Sequence, residues 1–91
     1  MLVTLSEAKN YLRVDSADDD KTIRRLMKAA EQMVMDIARM DKKEISQAGD
    51  TARTAVLYAT AYLYEHREEA DHGELAETMK NLLSAVRREA F

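Results

Sequence analysis

The chain contains no proline and only two glycines, Gly49 and Gly73. Sheets need tight turns, and tight turns draw on glycine and proline for backbone angles that other residues adopt at a cost. A sequence of 91 residues with so few breaks reads as all-α, with long uninterrupted helices joined by short polar connections. That length suits one small domain with a thin core. The 46% apolar content is enough to fold it, and the 34% charged content is enough to solvate its surface.

Local signals place four helices. Thr4-Leu-Ser-Glu7 has the form of a capping box, in which the Thr4 hydroxyl accepts from the Glu7 amide and the Glu7 carboxylate reaches back to Thr4 N–H. Leu5, Ala8 and Leu12 follow at helical spacing, predicting a first helix over 5–13. The acidic run Asp15 to Asp20 suits the positive end of a second helix, with Asp15 or Ser16 as its cap. A calcium loop is a poor alternative, because twelve positions of spaced oxygen ligands and a central glycine are missing. Ile23, Leu26, Met27, Ala30, Met33, Val34, Ile37 and Met40 then mark one apolar face of a long helix.

On the opposite face Lys21, Arg24, Arg25, Lys28 and Arg39 form a basic stripe, flanked by Asp20 and Glu31 and interrupted by Asp36. It reads as a solvated face with intrahelical pairing, or as a contact for an acidic neighbour or passing DNA. Residues 41–50 are polar and read as a connecting loop with room for a turn of helix, and with Ser46 and Asp50 as caps.

The third predicted helix, 50–69, is apolar or aromatic around its whole circumference from Ala55 to Tyr64. Such a helix must be covered on all sides, and three other short helices have little surface to spare. Part of it is therefore expected to meet another subunit, with Tyr58, Tyr62, Tyr64 and Arg67 as candidate interface residues. Asp71 to Glu74 then has the shape of another cap, and Leu75, Met79, Leu82, Leu83 and Val86 form the apolar face of a fourth helix. Arg87 and Arg88 suit its C-terminal end and join Lys21, Arg24, Arg25 and Lys28 as candidate partner contacts.

The search for chemistry centres on Tyr62 to His72, where two histidines stand among carboxylates. A zinc-protease helix needs its histidines four apart with a glutamate beside the first; His66 and His72 are six apart. His66 with Glu65 and Glu69 would bind a metal weakly, so the stretch reads as the polar end of a helix. Without cysteine there are no disulfides, thiolate metal sites or cysteine nucleophiles. No phosphate loop or nucleophile elbow occurs. Neither an enzyme nor a cofactor is expected. No apolar run is long enough to span a membrane, and the first residues lack the pattern of a signal peptide. A net charge of -3 argues against a protein that grips nucleic acid through phosphates. A helix-turn-helix reader finds no suitably basic recognition helix.

Taken together, the motifs resemble the small head–tail connector proteins of tailed phages. The opening Thr4-x-x-Glu7-Ala8-Lys9-x-x-Leu12-Arg13-x-Asp15 is similar to the start of those chains. So are the acidic stretch before a long helix with Leu26 and Ala29-Ala30, the block Tyr64-Glu-His-Arg-Glu68, and Leu82-Leu83 followed by Arg87. The chain departs from that pattern in having no proline before Leu82.

The resemblance implies a non-enzymatic adaptor of the virion head–tail interface, assembled in the bacterial cytoplasm. It would form a homo-oligomeric ring of about a dozen copies below the portal protein. The ring would extend the DNA channel and dock the next head-closure or tail protein, meeting DNA only as it passes. The resemblance also points to a structural role for Arg67, paired with a carboxylate at a helix end or a subunit contact. The alternative reading is a small helical dimeric regulator or DNA-binding protein.

Overall fold

The computed structural model describes residues 2–69 and 71–84. Five helices follow one another: α1 (Leu5–Leu12), α2 (Asp20–Ala38), α3 (Lys42–Ser46), α4 (Asp50–Glu65) and α5 (His72–Leu82). There is no strand among the described residues. Val86, Arg87 and Arg88 lie outside them.

The helix starts follow the cap chemistry of the sequence. Glu7 N–H donates to Thr4 Oγ1 at 3.1 Å, and Thr4 N–H donates to Glu7 Oε1 at 3.0 Å. At α5, Glu74 N–H donates to Asp71 Oδ1 at 3.0 Å. Two starts differ from expectation. Helix α2 begins three to four residues later than an Asp15 or Ser16 cap requires; Asp19 holds the cap position with no side-chain cap bond. The connection after α2 contains a complete capping box of its own, with Glu44 N–H on Asp41 Oδ1 at 2.8 Å and Asp41 N–H on Glu44 Oε1 at 3.0 Å. That box nucleates the five-residue α3 inside what the sequence reads as a loop.

Helix ends follow from backbone angles. Arg13 and Arg39 stop α1 and α2 in the left-handed region, at φ 60° and 58°. Helix α4 ends at Glu65, earlier than the expected residue 69, with His66 as its cap.

One buried cluster draws on all five helices, from Ala8 in α1 to Leu75 and Met79 in α5. Its largest helix pair is α2 with α4. From α2 come Ile23, Met27, Ala30, Val34 and Ala38; from α4 come Ala52, Ala55, Val56 and Ala59, each almost wholly buried. Each large aliphatic among them contributes about 1.5–3 kcal/mol by leaving water. The alanines contribute less area but let the helix backbones approach closely. Thr60, also buried, satisfies its hydroxyl on Val56 O at 2.7 Å.

The seam shows how much of α4 the chain covers by itself. Alanine makes α4 thin, so α1, α2 and α5 cover most of it within one chain. Leu57, Tyr58, Tyr62 and Tyr64 remain half-buried against the core. Glu31 is also relocated: it does not flank the basic stripe but is 6% exposed, and its Oε2 accepts from Leu2 N–H at 2.9 Å.

Candidate interaction surfaces

The motif residues at the front of the chain hold helices together. Glu7 spends Oε1 on its own cap and pairs through Oε2 with Arg53 of α4. Arg53 also reaches Asp50 at 3.7 Å. Two residues after Glu7, Lys9 Nζ lies 2.8 Å from Asp20 Oδ1 at the start of α2. That oxygen is out of reach of water and makes no hydrogen bond, so the Lys9 ammonium is the charge that compensates it. Ala8, between them, is buried. The stretch Glu7-Ala8-Lys9 thus docks α1 on two helices at once.

The four candidate interface residues divide between two places. Tyr58 and Tyr62, one turn apart on α4, share a shallow groove of about 220 Å³ with Tyr11 of α1. Tyr11 is 47% exposed and is the only exposed large hydrophobic residue among those described. The Tyr62 ring stacks on the His66 imidazole, with centroids 4.2 Å apart and planes inclined by 19°. Its hydroxyl accepts from Asp71 N–H at 3.3 Å and lies 3.4 Å from Asp71 O. Tyr62 therefore ties the end of α4 to the cap of α5.

Tyr64 and Arg67 belong to the second place. The Tyr64 hydroxyl donates to Asp19 Oδ2 at 2.6 Å. The Arg67 guanidinium carbon lies 4.3 Å from the centre of the Tyr64 ring, a cation–π contact worth about 0.5–1 kcal/mol at an exposed site. Among the described residues Arg67 makes no ion pair, and the contact it makes is with the Tyr64 ring.

Lys21, Arg24, Arg25 and Lys28 all lie exposed on one face of α2, and none is ion-paired among the described residues. The interruption at Asp36 is bonded within the helix, to Gln32 Nε2 at 2.8 Å. Arg39 sits at the helix cap, away from the four-residue stripe by three turns.

His66 and His72 are both exposed. His66 Nδ1 is 2.9 Å from Tyr62 O, and His72 is the first residue of α5. Among the described residues no three histidine or acidic side chains come within metal-binding range of one another, and no helix is long and apolar enough to cross a membrane.

Sequence reasoning passed over Tyr11 and Arg53. Tyr11 had a signal, since it lies off the stripe formed by Leu5, Ala8 and Leu12. Arg53 had none, because its partner stands 46 positions away.

These features define a small all-helical protein whose polar side chains fasten one helix to another, with Tyr11 and the basic face of α2 exposed. The profile of the Phage gp6-like head-tail connector protein family matches residues 2–89, and the chain belongs to that family. No curated protein and no solved structure matches it. Membership makes it a bacteriophage structural protein of virion assembly.

Proposed function

We propose that the chain is the adaptor subunit of a tailed phage or prophage, forming a ring below the portal that extends the DNA channel and docks the next head-completion or tail protein. The observation that carries this reading is the family match across residues 2–89. The distribution of exposed groups supports it. The tyrosine groove of Tyr11, Tyr58 and Tyr62 provides a surface for a neighbouring copy, since tyrosine buries a large ring while keeping its hydroxyl hydrated. Head-to-tail contacts of this kind close into rings when the rotation between copies closes. The net charge of -3 supports a conduit through which DNA slides, because a dense basic lining would hold phosphates by counterion release.

The test is native mass spectrometry of the purified protein over a range of concentrations, with negative-stain images of the same samples, alone and with portal added. A closed ring in either condition is the expected result. A stable dimer indifferent to portal would replace the adaptor with the dimeric regulator.

A further inference from the structure

Between α2 and the α4–α5 corner runs an open groove of about 370 Å³. Its floor is apolar: Leu26, Ala29 and Met33 from α2 and Leu63 from α4. Its rim is formed by Arg25 and Arg67, with the imidazoles of His66 and His72 beside them. No carboxylate lines it, in a chain that carries 17 acidic residues against 14 basic ones. Arg67 is held on the Tyr64 ring, and Arg25 is exposed with Lys21, Arg24 and Lys28 continuing the positive face along the helix.

We infer that this groove receives a carboxylate-rich segment of a neighbouring protein in the connector, seated by one bulky apolar side chain. The inference rests on the adaptor reading and names the chemistry of the partner at one surface. Two features select this occupant. A floor of Leu26, Met33 and Leu63 gains from burying apolar surface, which a sugar-phosphate backbone does not supply. A rim of arginines with no internal carboxylate favours acidic side chains over basic ones and repels a basic segment. The volume accommodates one or two large side chains, and Ala29, exposed and small, adds little bulk to the lining. The geometry is that of an anchor in a small apolar depression bordered by charge.

The experiment places a photo-reactive benzoylphenylalanine at Ala29 in the full chain within phage particles, with the same group at Ser6 on the exposed face of α1 as a control. Cross-linked peptides are identified by mass spectrometry. The expected product joins position 29 to a neighbouring protein at a segment with several Asp or Glu residues and a Leu, Met, Phe, Tyr or Trp among them. The same product should fall at least fivefold when Arg25→Glu and Arg67→Glu are introduced together. Cross-linking to DNA, to a basic or wholly polar segment, or undiminished cross-linking in the charge-reversed variant would overturn the inference. So would the absence of any product at position 29 in particles that contain the protein. Particles that lack the protein altogether would instead remove the adaptor reading on which the inference stands.

Discussion

The Tyr64 hydroxyl donates to the Asp19 carboxylate across 2.6 Å, joining the last turn of α4 to the residue before α2. The partners are 45 positions apart. Because Asp19 makes no cap bond with its own helix, its carboxylate is free to accept from Tyr64. Removing the hydroxyl with Tyr64→Phe keeps the ring under Arg67 and deletes only this bond. The expected loss is about 1–2 kcal/mol, since the acceptor is charged and the bond is partly buried. Urea unfolding of the variant measures it, and an unchanged midpoint would mean that water replaces the hydroxyl at no cost.

Glu7 and Arg53 offer a second test. Glu7→Ala removes the return bond of the capping box, from Thr4 N–H to Glu7 Oε1, together with the ion pair, while Thr4 still caps the residue 7 amide; it should cost about 1–2 kcal/mol. Arg53→Ala removes the pair alone. Both side chains are 37% exposed, so the coupling energy from a double-mutant cycle should be no more than about 1 kcal/mol and should shrink in high salt. A coupling that ignores salt would contradict a screened surface pair.

The outcome expected at the α2–α4 seam is much larger. Ala55 and Ala59 are fully buried, and a leucine at either position has no room without moving a helix. Ala59→Leu should destabilise by about 1–3 kcal/mol or prevent folding. Circular-dichroism melting would decide, and a variant as stable as the parent would mean that the seam is looser than its burial implies.

For the exposed tyrosine, Tyr11→Ser should leave stability within about 1 kcal/mol while weakening self-association at least several-fold in native mass spectra. Tyr62 and Tyr64 are poorer probes of the interface than the sequence alone implies, because both hydroxyls are already bonded inside the chain. Loss of folding in Tyr11→Ser, or unchanged assembly, would remove Tyr11 from the subunit contact.

Reversing Arg24 and Arg25 to Glu adds two carboxylates to an exposed helix face. Stability should move by about 0.5 kcal/mol or less, yet phage yield should fall if the stripe meets an acidic neighbour. Normal yield from that variant would leave the stripe as solvated surface.

Much of the helical frame was legible because it is written in local chemistry. Thr4 with Glu7 and Asp71 with Glu74 cap their helices at the positions their spacing dictates, and the apolar face of α2 is periodic enough to need no tertiary knowledge. The short α3 carried the same signal in Asp41 and Glu44, but five residues hold too little apolar periodicity to distinguish a helix from a polar loop. The circumference of α4 is less demanding than its hydrophobicity implies, because that scale counts an alanine as apolar without registering that it is small; what remains half-buried is Leu57 with Tyr58, Tyr62 and Tyr64. The roles of Tyr64, Arg67 and Arg53 depend on partners in space, and nothing in their local sequence names Asp19, the Tyr64 ring or Glu7. The open groove beside Arg25 likewise arises where α2 passes the α4–α5 corner, a meeting of segments some 40 positions apart.

The alanine seam has one more consequence. Alanine has no rotamers to lose or to change, so where Ala30, Ala55 and Ala59 line the α2–α4 seam the two helices have little freedom to repack. Adjustment of side-chain packing falls more readily to the periphery. There the half-buried methionines Met33, Met35 and Met40 supply unbranched, polarisable side chains that reshape at little cost. The subunit is stiffest at the alanine contacts that hold α2 and α4 together and most adaptable at its half-buried methionines.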